Sequence, residues 1–405
     1  MNREDLHKEI INLSNTFNNV ALQWPTGLGK SRAAIDIIYN MSLGGIKSPK
    51  ILLVVAEIPH KDNWNKESIK WGCAFPMTVE CYASLKNYRN TEWDIIVFDE
   101  AHHLTSDLRL QIVETIKAQH VILLSATLQD LLIRYLESIF GAFGISKYTL
   151  KDVIEEGLLP EPKVFLIPMT LNNVYENCTI VKEWGDKPKR KVIKCSYFDR
   201  WKYIKDKVKY PHITLEISCT QQQKYTYLTE EFEYWKNKYM KSRQEYMKNK
   251  WLRVGSERKR FLGECKTQTA HLLLYKLRNK RFICFCSSIE QTELLGGKNA
   301  IHSKNKDSLK IIESFNNKEI SNLFAVGMLQ EGQNLVDIEA GVIIQLDNVE
   351  RAFIQKFGRT LRADSPKQYI FYYKNTRDEE YLKNVYEEID KDYIIIVNNL
   401  LDLTM

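Results

Sequence analysis

The sequence predicts an α/β fold in which parallel strands alternate with helices, and three stretches of the first hundred residues predict it. The apolar segment 19–24 runs into a glycine-containing turn and then into apolar residues at helical spacing. Residues 50–56 form an apolar, β-branched run after Pro49, which is typical of a parallel strand buried on both faces. Residues 95–98 form another apolar run, which ends in two acids. This alternation predicts a parallel sheet flanked by helices.

The glycine-containing turn has the residue types that a nucleoside triphosphate needs, and it reads Pro25-Thr26-Gly27-Leu28-Gly29-Lys30-Ser31. Glycines let backbone N–H groups wrap the phosphates, and the helix N-terminus that follows adds the positive end of its dipole. Lys30 is expected to reach the β- and γ-phosphates, and the Ser31 hydroxyl to bind Mg²⁺. Trp24 stands where the longer form of this motif has its first glycine, and it can pack the loop. Taken alone, the stretch also fits an ordinary strand, turn and helix.

Asp99 and Glu100 follow the third apolar run, at the strand end where ligands bind in an open parallel sheet. Two neighbouring carboxylates repel each other, so a bound cation is the natural reason for pairing them. We expect Asp99 to bind Mg²⁺ and Glu100 to polarise an attacking water. Without the preceding phosphate loop, a solvated acidic loop would explain them equally well. The predicted nucleotide contacts in this half are therefore residues 26–31 (Thr26, Gly27, Leu28, Gly29, Lys30, Ser31) and Asp99.

Ser125 and Thr127 follow a further predicted strand at 120–124. Their hydroxyls could hydrogen-bond towards the phosphate site or towards the next domain. Serine and threonine are also common in turns, so this triplet alone does not decide between the two interpretations.

Size and composition limit the class of protein. A chain of 405 residues predicts two or three domains, and 44% hydrophobic with 27% charged residues is typical of a soluble globular protein. No apolar run approaches the ~18 residues of a membrane span, so no membrane partner is expected. The charged N-terminus lacks a signal peptide's apolar stretch, and the eight cysteines are scattered without a C-x-x-C pair. We expect a cytoplasmic protein, in the host cytoplasm if a phage encodes it, without a zinc site or disulfide framework.

Positive charge is concentrated in the middle of the chain. Residues 175–281 carry 27 Lys and Arg against 12 Asp and Glu, a net +15, whereas the whole chain carries +7, so the remainder is net −8. This distribution predicts one polyanion-binding element. Two strand-like segments, 178–184 and 191–197, flank a basic tip and predict a β-hairpin. The candidate nucleic-acid contacts at that tip are Lys187, Lys189, Arg190 and Lys191.

Residues 221–260 have a helical pattern in which aromatic residues alternate with lysines. Interleaved rings and cations suit a nucleic-acid surface, where cations contact phosphates and rings stack on bases. An amphipathic helical pair with aromatic core faces explains the aromatic residues better. The net charge is better explained by phosphate contact.

Six motifs in order make the chain resemble the superfamily 2 helicases and translocases. Residues 25–31 look like motif I, 99–102 spell D-E-A-H as in motif II, and 125–127 spell S-A-T as in motif III. Residues 281–288 look like motif IV, 324–335 like motif V, and 355–362 like motif VI in its Q-x-x-G-R-x-x-R form. Asn63-Trp64 followed by Trp71 is similar to a stretch of Snf2-like translocases, although both tryptophans fit packing residues better than ligands. Phage recombination helicases and restriction-enzyme motor subunits are similar in their general arrangement of motifs.

The resemblance implies two tandem RecA-like domains with ATP in the cleft between them. They would span residues 1–158 and 159–405, and the second would include a basic α/β insertion at about 172–265.

The resemblance also implies roles for residues of both domains. Arg359 and Arg362 would reach across the cleft as arginine fingers, and Gln355 would position the water or the γ-phosphate. Gly332 of motif V would join the nucleotide contacts. His102, together with Ser125 and Thr127, would couple motif II to the other domain.

The predicted function is an ATP-dependent DNA helicase or translocase, with ATP and Mg²⁺ as cofactors and duplex, branched or single-stranded DNA as its partner. DNA is favoured over RNA because the relatives named above mostly act on duplex or branched DNA. One alternative is an RNA helicase. Another is a nucleic-acid-stimulated ATPase subunit that serves a nuclease or recombination partner protein.

Overall fold

The computed structural model describes residues 2–43, 48–327, 335–346, 357–358, 363 and 365–403. Within these ranges a first sheet contains six strands, all parallel, in the order β3-β2-β4-β5-β1-β6. They are β1 (Asn19–Gln23), β2 (Ile51–Val55), β3 (Met77–Cys81), β4 (Glu92–Asp99), β5 (Lys117–Ser125) and β6 (Phe143–Lys147). The helices of this part are α1 (Arg3–Thr16), α2 (Lys30–Leu43), α3 (Ile58–Lys70), α4 (Asp107–Val113), α5 (Asp130–Phe140) and α6 (Leu150–Glu155).

The sequence patterns account for these elements. All five residues of β2 are buried, which confirms the prediction of a strand covered on both faces. Helix α1 begins after Asn2, whose side chain accepts hydrogen bonds from the backbone N–H groups of Glu4 and Asp5. Its buried residues Leu6 and Ile10 lie one turn apart, so α1 packs one face on the sheet.

A second parallel sheet takes its strands from residues 163–396, in the order β12-β13-β11-β14-β15-β7-β16 among the described residues. These strands are β7 (Lys163–Met169), β11 (Phe282–Phe285), β12 (Ala300–Ile301), β13 (Asn322–Ala325), β14 (Ala340–Ile343), β15 (Lys367–Tyr373) and β16 (Ile394–Ile396). Its helices are α10 (Thr267–Lys276), α11 (Ile289–Gly296), α12 (Ser308–Asn316) and α13 (Arg377–Glu388). The predicted α/β class with two parallel sheets is confirmed.

The basic middle folds as a small sheet followed by two long helices. The sheet contains β8 (Cys178–Trp184), β9 (Lys191–Ser196) and β10 (Ile213–Cys219), and the helices of this part are α7 (Arg200–Ile204), α8 (Gln221–Ser242) and α9 (Glu245–Cys265). The predicted hairpin of β8 and β9 is wrong, because β10 lies between them, antiparallel to β8 and parallel to β9. The physical reason is burial. In strand β10 every second residue is apolar and buried, namely Ile213, Leu215, Ile217 and Cys219, and a strand on each side of β10 helps to bury them. Most residues of β8 and β9 are at least partly exposed, so these strands can lie at the edges of the sheet.

The pairing of α8 with α9 confirms the predicted helical pair. Aromatic rings meet between the two helices, with Phe232 5.8 Å and Tyr239 5.8 Å from Trp251, and Trp235 6.2 Å from Tyr246, measured between ring centroids. These contacts support the interpretation of the aromatic residues as helix-packing residues. No helix among the described residues is long and apolar enough to cross a membrane.

One hydrophobic cluster contains side chains of both parallel sheets. It includes Leu22 of β1 and Leu166 of β7, with Leu158 and Leu159 of the connecting segment. At the same place the backbone N–H of Leu150, the first residue of α6, donates to the Glu388 carboxylate at the end of α13 over 3.2 Å. The chain therefore passes from one sheet to the other through a packed contact.

Candidate nucleotide site

The predicted phosphate loop lies between the end of β1 and the start of α2. Gly27 has φ = 98° and Gly29 has φ = 96°, left-handed values that side chains with a Cβ rarely adopt, so the loop needs glycine at both positions. Leu28 between them is buried and anchors the turn in the core. Helix α2 begins at Lys30, so its free N–H groups face the loop.

Trp24 holds the base of this loop. Its backbone N–H donates to the Ser125 carbonyl over 3.0 Å, and its indole Nε1–H donates to the Ser146 hydroxyl over 2.9 Å. Its own carbonyl accepts a hydrogen bond from the Lys30 ammonium at 3.0 Å. The side chain is 2% exposed, so Trp24 packs the loop where the longer motif would have a glycine.

The two acids lie at the end of β4, as the sequence predicts. Asp99 is the last residue of the strand, and Glu100 follows with φ = 51° and ψ = 54°, a left-handed conformation that is strained for a residue with a side chain. One Asp99 oxygen, Oδ1, accepts the Glu100 backbone N–H at 3.1 Å. The other, Oδ2, accepts the indole Nε1–H of Trp64 at 2.7 Å. The Asp99 carboxylate is thus held by the turn after β4 and by Trp64 of α3.

His102 joins motif II to the S-A-T segment. Its Nδ1 lies 3.0 Å from the Ser125 hydroxyl and 3.4 Å from Glu100 Oε2. The Ser125 hydroxyl donates to the Thr127 carbonyl over 2.7 Å and accepts the Thr127 backbone N–H at 3.2 Å. Glu100, His102, Ser125 and Thr127 thus form one chain of contacts between motif II and the S-A-T segment.

A glycine of the sixth motif lies directly against the phosphate loop. A Cβ placed on Gly358 would be 2.7 Å from the Thr26 Cβ and 3.0 Å from the Thr26 carbonyl oxygen, and the Gly358 carbonyl approaches Gly27. Only glycine permits this approach. The other predicted residues of the second half, Gly332, Gln355, Arg359 and Arg362, lie outside the described residues.

The residues present fit Mg²⁺ bound together with nucleotide phosphates. Mg²⁺ prefers hard oxygen ligands and is usually held by one or two protein groups plus phosphates and water. The half-buried Ser31 hydroxyl and the Asp99 carboxylate are such donors. Within the described ranges, no three His, Cys, Asp or Glu side chains cluster as they would for a metal held by protein alone. The two oxygen ligands therefore suit a Mg²⁺ ion that binds together with the nucleotide.

Two family models match the chain at these motifs. The family described as "Type III restriction enzyme, res subunit" matches residues 65–130, which contain motifs II and III. The family described as "Helicase conserved C-terminal domain" matches residues 265–364, which contain motifs IV to VI. These two matches confirm the resemblance to the superfamily 2 helicases.

Solved helicase structures share its fold. The Pyrococcus furiosus Hef helicase domain aligns over 95% of this chain and 97% of its own, with 14% identity and a TM-score of 0.50. S. cerevisiae Dbp5, solved bound to RNA and ADP BeF3, aligns over 96% of this chain and 87% of its own, with 11% identity and a TM-score of 0.58. The two parallel sheets of the chain are therefore tandem RecA-like folds. A search of curated protein sequences finds no match.

The four predicted nucleic-acid residues lie between β8 and β9, around the 3-10 turn 187–189. Lys187, Lys189 and Lys191 are exposed, and the Lys189 ammonium lies 3.6 Å from Asp186. Arg190 is different, because its guanidinium pairs with Glu183 at 2.8 Å and donates to the Gly185 carbonyl at 3.0 Å. The three lysines are thus available to a polyanion, whereas Arg190 is engaged in holding the turn.

Trp64 is a site residue that sequence reasoning missed. The sequence predicts that Trp64 is a packing residue, and its side chain is indeed only 3% exposed. Its indole N–H, however, also donates a hydrogen bond to Asp99 of motif II. The Asn63-Trp64 stretch resembling Snf2-like translocases was the only available signal, and a pattern of that kind does not specify a hydrogen-bond partner.

Proposed function

We propose that this helicase is an ATP-dependent DNA helicase or translocase, in which ATP hydrolysis between the two RecA-like domains drives movement on duplex or branched DNA, or its unwinding. The observation that carries the proposal is the contact of Gly358 with Thr26. It supports a nucleotide site made of two parts, with motif I on the first domain and motif VI on the second. Opening and closing of the two parts can then be linked to nucleic-acid binding.

The proposed chemistry assigns a role to each residue. Lys30 leaves the Trp24 carbonyl to contact the β- and γ-phosphates, and the glycine-bearing loop donates backbone N–H groups to the same oxygens. Ser31 and Asp99 would hold Mg²⁺, which when bound offsets charge on the phosphates. Glu100, fixed by its left-handed backbone, accepts a proton from the attacking water.

Charge on the transferring phosphoryl group also needs cations from the second domain. Arg359 and Arg362 follow Gly358 in the chain, and Gly358 lies against the loop, which supports their assignment as arginine fingers. A guanidinium fork present only in the closed state stabilises the transition state more than the ground state. Gln355 would orient the water, and Gly332 would line the nucleotide.

DNA is proposed on the resemblance of Asn63-Trp64 and Trp71 to a stretch of Snf2-like translocases. RNA is the second candidate, and the observation that favours it is the fold similarity to Dbp5, which was solved bound to RNA. A third candidate is an ATPase subunit that serves a nuclease or recombination partner.

The deciding experiment is an ATPase titration of the full chain with single-stranded DNA, duplex DNA, forked DNA and RNA, followed by strand displacement on the best effector. We expect DNA to stimulate most. Lys30→Ala and Glu100→Gln should each lower the stimulated rate at least about a hundredfold, as loss of a charge-stabilising group does in other enzymes. Stimulation that survives both substitutions would refute the site assignment, and stronger stimulation by RNA would refute the choice of DNA. Co-purification of a nuclease or recombination protein would support the third candidate.

A further inference from the structure

A small cavity lies where the helical pair α8–α9 meets the second sheet. It is lined by Arg258, Lys259, Gln345, Arg377, Asp378 and Tyr381. Gln345 follows β14 and Arg377 follows β15, so the cavity is at the carboxyl ends of these strands, the edge where parallel sheets bind ligands. Three of its six polar side chains are cations.

Arg258 is buried there without a matching charge. Its side chain on α9 is 3% exposed, and its Nε finds no hydrogen-bond partner among the described residues. Its one side-chain hydrogen bond within those residues is a long one of 3.4 Å to the Thr229 hydroxyl, and its guanidinium lies over the Phe232 ring, 4.2 Å from the centroid. Burial lowers the pKa of Arg258, and the nearby Arg377 lowers it further. A buried guanidinium with so few partners is costly unless an anion joins it.

Arg377 brings a second guanidinium to the same ring. It lies 5.2 Å from the Phe232 centroid and 5.1 Å from that of Tyr381. Two guanidinium groups held on one aromatic ring repel each other, and a shared anion removes that repulsion.

The two acidic side chains near the arginines, Asp378 and Glu233, contact other groups. Asp378 is fully buried, and its carboxylate accepts hydrogen bonds from the Lys266 ammonium at 2.5 Å, the Gln345 amide at 2.9 Å and the Tyr373 backbone N–H at 3.1 Å. Glu233 on α8 is exposed and lies 3.5 Å from Lys236. Glu233 also attracts Arg258, but it is exposed and shared with Lys236, so the cavity keeps an excess of positive charge.

We propose that Arg258 and Arg377 together bind a phosphate group, supplied by the backbone of the bound nucleic-acid strand. Guanidinium groups match phosphate oxygens with paired N–H donors, and the net +15 of residues 175–281 draws a polyanion to this part of the molecule. The site depends on the proposed function only for the source of the phosphate, because inorganic phosphate offers the same chemistry without any nucleic acid.

The test compares the full chain with Arg258→Gln and Arg377→Gln. Arg253→Gln is the matched control, because Arg253 is an exposed arginine on the same helix and its loss changes the net charge equally. In the first arm, thermal unfolding is followed with inorganic phosphate against chloride at equal ionic strength. We expect phosphate to raise the Tm of the wild type and of Arg253→Gln by the same amount, and to raise the Tm of the other two variants by less, because only the loop at residues 25–31 still binds phosphate in them.

In the second arm, binding of a labelled DNA duplex without nucleotide is measured over a series of salt concentrations. Loss of one phosphate contact should reduce the slope of log K against log salt by about 0.9 for duplex, or about 0.7 for a single strand. We expect this reduction for Arg258→Gln and Arg377→Gln. The control should keep the slope of the wild type.

Changes in both arms support the proposal. A change in the phosphate arm alone supports the site and overturns the nucleic-acid backbone as its source. No phosphate effect on the wild type, or equal effects of all three substitutions, overturns the site. If Arg258→Gln fails to fold, the half-buried Arg377 carries the same test. Failure of DNA to stimulate the ATPase would refute the proposed function and leave the phosphate arm readable.

Discussion

The hydrogen bond from Trp64 to Asp99 gives the sharpest prediction about the nucleotide site. Trp64→Phe removes the indole N–H that lies 2.7 Å from Asp99 Oδ2 and keeps an aromatic ring in the buried position. A hydrogen bond to a charged group contributes ~1.5–3 kcal/mol. If Asp99 holds Mg²⁺ as proposed, this free energy orients the carboxylate towards the cation.

We therefore expect Trp64→Phe to raise the Mg²⁺ concentration for half-maximal ATPase activity by about 10- to 100-fold, the usual effect of removing a group that orients a metal ligand. The turnover rate at saturating Mg²⁺ should fall less, because Glu100 and Lys30 are unchanged. The assay is nucleic-acid-stimulated ATPase as a function of Mg²⁺ at fixed ATP.

Trp71→Phe is the matched control. Trp71 directly follows the last residue of α3, and its indole donates to Glu67 Oε2 at 2.7 Å, an equally short bond to a carboxylate that is not in the site. It should leave the Mg²⁺ dependence unchanged. An identical Mg²⁺ requirement in wild type and Trp64→Phe, or an equal shift in both variants, would show that the Trp64 bond does not orient Asp99.

Three further predictions test other parts of the structure. Gly358→Ala places a methyl group 2.7 Å from the Thr26 Cβ, and overpacking of this kind costs ~1–3 kcal/mol, so ATPase turnover should fall roughly tenfold; unchanged turnover would contradict the close contact. Lys266→Met leaves the fully buried Asp378 without its ammonium partner and should lower the free energy of unfolding in urea by ~3–5 kcal/mol, with recovery in the double variant that adds Asp378→Asn; a loss below about 1 kcal/mol would argue against the pair. Changing Lys187, Lys189 and Lys191 to Glu should weaken DNA binding and flatten its salt dependence, whereas the stability should stay the same because all three side chains are exposed; unchanged binding at moderate salt would exclude this turn as a contact.

Errors and omissions of the sequence interpretation have specific physical causes. The strand-like segments 178–184 and 191–197 were adjacent in the chain, so a hairpin was the local solution. Strand β10, from residues 213–219, lies between them because its alternating apolar residues are buried best when a strand pairs with it on each edge. The burial of Arg258 could not be predicted from the sequence either, because the same stretch contains several other lysines and arginines. Which of them is buried depends on how α9 packs on α8 and α13.

The sequence by itself determined the two parallel sheets and the motif I to III residues at their strand ends. This is possible because glycines, apolar runs and adjacent acids act locally: they set backbone angles, strand burial and the place of charges within a few residues. The tertiary structure decided which groups meet, namely Trp64 with Asp99, Gly358 with Thr26, and Arg258 with Arg377. Each of these contacts joins separate elements, and no periodicity within one element specifies how it packs on another.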